Sequence, residues 1–233
     1  MSIGDRIKRY EAAYAPRLTP RSCLFIRVDG RAFHTFTRGC DRPFDRNITS
    51  AMLYATRQTA ADMQGFKLAY TQSDEATFLL TDFETHDTQG WFDYELNKVV
   101  SISASLFTAY FNDTYEGPWV PGHTLATFDS RAFIVPTDDA PNVFIWRQRD
   151  WERNSVQMLA RAHFSHNQLH EKGHAEIHEM LHGVGVNWAD LPERLKNGTF
   201  VLRDGTMASE KLGYEEIRAL IWPEEKNQEG GNE

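Results

Sequence analysis

The chain has 233 residues, with 25 Lys and Arg against 33 Asp and Glu, for a net charge of −8 that argues against indiscriminate nucleic-acid binding. Its 41% apolar content and six Trp are ample for one large domain or a core with an appendage, and no apolar run approaches the 18 residues of a membrane span. Cys23 and Cys40 are too few for a disulfide framework, and the first six residues lack the apolar stretch of a signal peptide, so a reducing cytoplasm is expected.

In chain order, residues 3–14 are predicted to form a short amphipathic helix stopped by Pro16 and Pro20. Residues 23–28 are a β-branched strand that ends at Asp29-Gly30, and 31–43 a loop rich in Phe, Arg and Gly. Residues 44–63 have helical spacing at Ile48, Met52, Ala55, Thr59 and Met63, ended by Gly65. Two strands, 66–71 and 76–81, flank Gln72-Ser73-Asp74-Glu75. A helix over 92–111 and a strand over 125–135 complete a β-α-β-β-α-β order, an α+β ferredoxin-like arrangement. Its first and third strands are antiparallel central neighbours, so Asp29 and Asp74 should meet at one edge of the sheet. The C-terminal third is predicted helical over 142–163 and 170–181, with a short strand pair near 198–202 and a frayed acidic tail over 223–233.

Charge is uneven along this frame. Residues 1–60 carry a net +6 and the remainder −14. A basic front suits phosphate-bearing ligands, although most of these Arg taken singly are ordinary solvated side chains. Arg27 and Arg31 differ in flanking Asp29 directly. Hard oxygen ligands on rigid strands are what Mg²⁺ requires when it must also grip substrate phosphates. The plainer explanation of Asp29-Gly30 is a turn, since Asp-Gly is a common turn dipeptide. Gly30 also frees its carbonyl as a further ligand. The Ser73-Asp74-Glu75 tip lacks the Gly or Asn that a tight hairpin favours, and a local rule broken at a candidate site is where function is expected.

Three further stretches carry potential chemistry. Backbone N–H groups of Arg31-Ala32-Phe33-His34 could line a triphosphate, or the two Phe of this loop could simply dock into the core. Trp146-Arg147-Gln148-Arg149-Asp150 with Arg153-Asn154-Ser155 suits phosphate or RNA contact; a capped, solvated helix start explains it equally simply. His163, His166, His170, His174, His178 and His182 form a helical ladder that contains His178-Glu179-Met180-Leu181-His182, the H-E-x-x-H pattern of zinc hydrolases. Gly183 and Gly185 close that helix without an obvious third ligand.

At Arg27-Val28-Asp29-Gly30-Arg31-Ala32-Phe33-His34-Thr35-Phe36, Gln72-Ser73-Asp74-Glu75, Phe128-Asp129-Ser130-Arg131, Trp146-Arg147-Gln148-Arg149-Asp150 and Gly185-Val186-Asn187-Trp188, the sequence resembles the tRNA-His guanylyltransferase family, including its 3′-to-5′ polymerase branch. The pieces run in family order over most of the chain. The resemblance implies a polymerase/cyclase-type palm over 1–140, with a helical C-terminal region over 141–222 packed on it. It implies two Mg²⁺ ions held by Asp29, Asp74 and the Gly30 carbonyl, with the two aspartates as catalytic residues. It implies nucleotide contacts from Asp29, Gly30, Arg31, Ala32, Phe33, His34, Ser73 and Asp74. Arg42 stands where the family has a Lys, and joins Arg27, Arg147, Gln148, Arg153, Asn154 and Ser155 as expected RNA or phosphate contacts. The implied reaction activates an RNA 5′ phosphate with ATP or GTP; the 3′-hydroxyl of an incoming nucleotide then attacks it. The implied partners are tRNA, nucleoside triphosphates and three further copies of the chain. Glu152-Arg153-Asn154-Ser155-Val156-Gln157-Met158 stands where eukaryotic members carry His-Ile-Asn-Asn-Leu-Tyr-Asn, so the sequence is more similar to the bacterial, archaeal and viral branch, which repairs truncated tRNA 5′ ends. The rivals are a palm-fold nucleotide cyclase without RNA, a zinc hydrolase built on His178, Glu179 and His182, and a catalytically silent RNA-binding relative.

Overall fold

The computed structural model describes residues 1–118 and 125–223. Apart from Pro223, the expected tail lies outside them. One antiparallel sheet organises the chain. Its strands are β1 (Cys23–Gly30), β2 (Phe66–Gln72), β3 (Glu75–Leu80), β4 (Phe128–Val135), β5 (Thr199–Leu202) and β6 (Met207–Ala208), in the order β4-β1-β3-β2-β5-β6. The first four strands in that order are the ferredoxin-like core, with β1 and β3 central and antiparallel as expected. β5 and β6 extend the same sheet past β2, so the region after residue 140 contributes strands as well as helices.

Both sheet faces are covered, which is why the strands read as nearly continuous apolar runs. Leu24, Ile26, Val28, Ala76, Phe78 and Leu80 face one layer, α3 (Arg46–Ala61) and α4 (Leu96–Thr114). Cys23, Phe25, Leu68, Tyr70 and Leu79 face α5 (Ala140–His163) and α9 (Tyr214–Ile221). Each of the Val, Leu, Ile and Phe side chains among these contributes about 1.5–3 kcal/mol on burial. Asp45 starts α3 by accepting the Asn47 and Ile48 N–H groups at 2.8 and 3.1 Å, and also accepts the Asp41 N–H at 2.9 Å, which ties the preceding loop to the helix.

Some boundaries differ from expectation. The predicted loop holds a short helix, α2 (Phe33–Phe36), because Phe33 and Phe36 bury against Phe111. The helix expected from residue 92 starts at Leu96: Phe92, Asp93 and Tyr94 have left-handed φ of 51°, 50° and 55°, an irregular turn that buries both Trp91 and Tyr94. The histidine ladder is not one helix. His163 ends α5, His166 opens α6 (His166–Leu169), and α7 (His174–Gly183) begins only after Glu171, whose φ is +60°.

Candidate active site

Register builds the site. Asp29 pairs with Glu75 of β3 on one side and with Asp129 of β4 on the other, so three carboxylates stand abreast on one face at the end of the sheet. The next row on that face is Thr77, Arg27 and Arg131. Like charges placed directly opposite repel, and the cation row offsets this. Arg131 lies 3.8 Å from Asp29 and 3.5 Å from Asp129; Arg27 lies 3.8 Å from Glu75.

Asp74 joins this edge through the hairpin. The Gly30 N–H donates to the Asp74 carbonyl at 2.9 Å, a direct backbone link between the two motifs. Asp29-Gly30 is therefore not a turn: both residues are still in β1. Space demands Gly here, because a Cβ at position 30 would sit 2.2 Å from the Phe33 ring. Strain flanks both aspartates, with Ala32 at φ +53° and Ser73 at φ +49°. Ser73 thus supplies the backbone conformation that a Gly or Asn would have given the hairpin.

Burial and then the charge of Asp29 push the Asp74 carboxyl above its ordinary range, although the Ser73 hydroxyl donates to it at 3.0 Å. Asp74 forms no ion pair among the described residues. Two adjacent carboxylates, one without a counter-charge, fit a divalent cation. Glu75 is differently placed. Its buried carboxylate is gripped by Arg147 of α5: Nη2 donates a hydrogen bond to one oxygen at 2.7 Å, and Nε lies 2.6 Å from the other as an ion-pair contact. It is committed to structure, not offered as a ligand. Among the described residues no three His, Cys, Asp or Glu side chains converge as a metal cage. At the carboxylate edge, the Gly30 carbonyl and substrate oxygens suit an ion such as Mg²⁺, which commonly takes only one or two protein carboxylates. The H-E-x-x-H stretch has no such supplement. His178 packs on Trp188 with rings 6.0 Å apart and on His174 at 4.7 Å, and among the described residues no third side chain completes a tetrahedral site.

Two hollows meet over Asp74. One, of about 530 Å³, is lined in part by Phe44, Ile48, Met52 and Leu195, apolar surface suited to a base. Arg42, Arg161 and Arg194 also line it, and none of the three forms an ion pair among the described residues. His34 borders it, with Nε2 at 3.1 Å from the Thr35 hydroxyl. The other hollow, about 400 Å³, lies between the hairpin and α5 and is bordered by Asp29, Arg147, Asp150, Asn154 and Arg161. Gln72, Ser73, Asp74, Trp151, Met158 and Arg161 line both.

Not every expected contact residue reaches this space. Phe33 touches the larger hollow but is chiefly a core anchor, packed on Phe36, Phe111 and Phe128. Arg31 and Ala32 are exposed and border neither hollow. Gln148 and Ser155, expected to touch RNA, are buried. The Gln148 amide clamps both backbone groups of Leu212, and the Ser155 hydroxyl accepts the Trp188 indole N–H at 3.0 Å. Arg147 is buried by its ion pair, whereas Arg153 is exposed and paired with Asp150 at 3.1 Å. Asp129 and Arg131 enter the sequence only within the Phe128–Arg131 motif, without a site role, and Trp151, Arg161 and Arg194 carry no sequence signal. The strand register signals the first two; the others sit in helices without a local motif.

Comparison with known proteins agrees with this geometry. Residues 4–136 match the family model described as tRNAHis guanylyltransferase. The chain is 30% identical to the tRNA(His) guanylyltransferase of Schizosaccharomyces pombe over 215 residues, 86% of this chain and 80% of that one. It is 28% identical to an uncharacterized protein, R259, of Acanthamoeba polyphaga mimivirus, covering 85% and 76%. Among solved structures, a bacterial tRNA(His) guanylyltransferase-like protein in complex with ATP superposes with a TM-score of 0.88 at 38% identity, covering 95% of this chain and all of that one. The carboxylate edge, the fold and these matches agree: the chain belongs to the tRNAHis guanylyltransferase family, a family of tRNA nucleotidyltransferases.

Proposed function

We propose that this protein adds nucleotides in the 3′-to-5′ direction to the 5′ end of tRNA, as templated end repair more than as addition of a single guanosine to tRNA-His. The observation that carries the chemistry is the junction of two hollows at Asp74, with Asp29 bordering the smaller one, room for one nucleotide beside a reacting RNA end. The departure over Glu152–Met158 favours repair, as does 38% identity to the bacterial guanylyltransferase-like protein against 30% to the fission-yeast enzyme.

Asp29, Asp74 and the Gly30 carbonyl would hold Mg²⁺. When bound, the ion supplies charge neutralisation at the phosphates and a more acidic attacking hydroxyl. The chain's own residues do the rest. Arg42, Arg161 and Arg194 orient the triphosphate of the activating nucleotide, ATP or GTP, whose base occupies the apolar part of the larger hollow. Arg161 and Asn154 border the smaller hollow, where the RNA 5′ phosphate and the incoming 3′-hydroxyl meet. Holding both reactants removes much of the orientational cost of the encounter. The exposed row Ile3, Ile7, Tyr10 and Tyr14 suits burial against another subunit and supports a homotetramer.

The test is a 5′-monophosphorylated tRNA lacking its first nucleotide, incubated with ATP, GTP and Mg²⁺. Extension to a full acceptor stem by wild type, lost in Asp29→Asn and Asp74→Asn, is expected. Triphosphate turnover without any RNA requirement would support the cyclase instead.

A further inference from the structure

Trp146 is left unexplained by the fold. Its indole is 51% exposed, although α5 packs its other aromatic residues, Phe144 and Trp151, into the interior. Two guanidinium groups hold the ring. Arg147 lies 4.6 Å from its centroid and Arg27 lies 5.9 Å away. Arg147 is itself fixed by Glu75, so this is a preset aromatic surface and not a loose side chain.

Its position is informative. Arg27 and Asp29 are two residues apart on one strand and share a face, a rise of roughly 7 Å. The indole therefore stands on the same side of the sheet as Asp29 and within roughly 20 Å of it, combining that rise, the reach of the Arg27 side chain and its contact with the ring. Exposed cations surround it: Arg131 beside Arg27 in register, with 55% of its side chain exposed, and Arg149 and Arg153 at helical spacing from Trp146. A flat apolar ring among cations matches a nucleobase carried between phosphates.

We propose that Trp146 is a stacking platform for the terminal base of the RNA end presented to Asp29 and Asp74, with Arg131, Arg149 and Arg153 attending its phosphates. This rests on the reading of the protein as an enzyme of RNA 5′ ends. Stacking is indifferent to base identity, so the platform suits an enzyme that must accept whichever pair closes the stem.

The test is binding of a hairpin acceptor-stem RNA lacking its first nucleotide, followed by fluorescence anisotropy across a salt series, with ATP binding and melting temperature measured beside it. Trp146→Leu should weaken RNA binding by about 5- to 150-fold, with ATP binding unchanged and the same slope against salt. Trp146→Phe should recover most of the loss, while Arg153→Glu should lower the slope. An abasic terminal nucleotide should weaken wild type by the same factor and leave Trp146→Leu unaffected. Equal binding by Trp146→Leu and wild type, or no recovery by Phe, overturns the platform. So does full sensitivity of Trp146→Leu to the abasic change. Wild type that neither binds nor extends the hairpin overturns the RNA reading itself, whatever residue stands at 146.

Discussion

Replacing Arg147 by Met removes the partner of a carboxylate that cannot reach water. Glu75 is 8% exposed and Arg147 6%, and both are pinned between β3 and α5. Burial pushes the Glu75 carboxyl up, Arg147 and then Arg27 hold it back, and Asp29 adds to the push. Breaking a buried pair on one side costs about 3–5 kcal/mol, because the survivor is left desolvated. Arg27 remains 3.8 Å away and recovers part of this, which places the loss near 3 kcal/mol. For a chain of this length that is about 6–12 °C in melting temperature. The double change Glu75→Gln with Arg147→Met leaves no stranded carboxylate, and Arg27, which loses its partner, keeps some access to water, so the double variant should be more stable than Arg147→Met alone by about 1–2 kcal/mol. Thermal and urea unfolding of the four proteins measures this cycle. A loss under about 1 kcal/mol for Arg147→Met, or a double variant no better than the single one, refutes the argument that Glu75 is charged and held by Arg147.

Gly30→Ala should cost about 1–3 kcal/mol and abolish nucleotide addition, since its Cβ would displace Phe33 from the cluster under the site; unfolding and extension assays report both. Asp74→Asn should raise the melting temperature of the metal-free protein while ending activity, because it removes a half-buried charge beside Asp29; Mg²⁺ should then stabilise wild type but not the variant. His178 has its pKa lowered, first by burial and then by the charges of His174 and His182, with Glu152 opposing. The unfolded state then takes up the proton first, so this contribution is present above about pH 6.5 and is lost as pH falls through the folded value. His178→Gln should flatten the fall in urea midpoint between pH 7 and pH 5.

The parts of this protein that were legible in its sequence are those governed by local pattern and strand topology. Apolar, strand-like runs located β1 to β4, and β-α-β-β-α-β order alone placed Asp29 and Asp74 at one edge, where the Gly30–Asp74 backbone bond joins them. What the pattern hid was burial direction on α5. Arg147, Gln148 and Ser155 carry polar side chains that look available, yet each meets a partner distant in sequence: Glu75, Leu212 and Trp188. The histidine spacing misled for a related reason. Regular intervals along the chain are not a helix face when Gly173 and the left-handed Glu171 break the axis between them. Arg161 and Arg194 were invisible because a hollow walled by α3, α5 and the α8 helix (Glu193–Asn197) exists only after folding.

The central claim, templated addition at the Asp29–Asp74 edge, is tested most directly by changing the template. A tRNA lacking its first nucleotide would be prepared with each of the four bases at the position facing the vacancy, then extended with all four triphosphates and Mg²⁺. The incorporated 5′ nucleotide should follow the facing base by Watson–Crick pairing in all four substrates, and incorporation should disappear in Asp29→Asn and Asp74→Asn. Addition of guanosine whatever base faces the vacancy would contradict templating, and extension that survives loss of either aspartate would contradict the site.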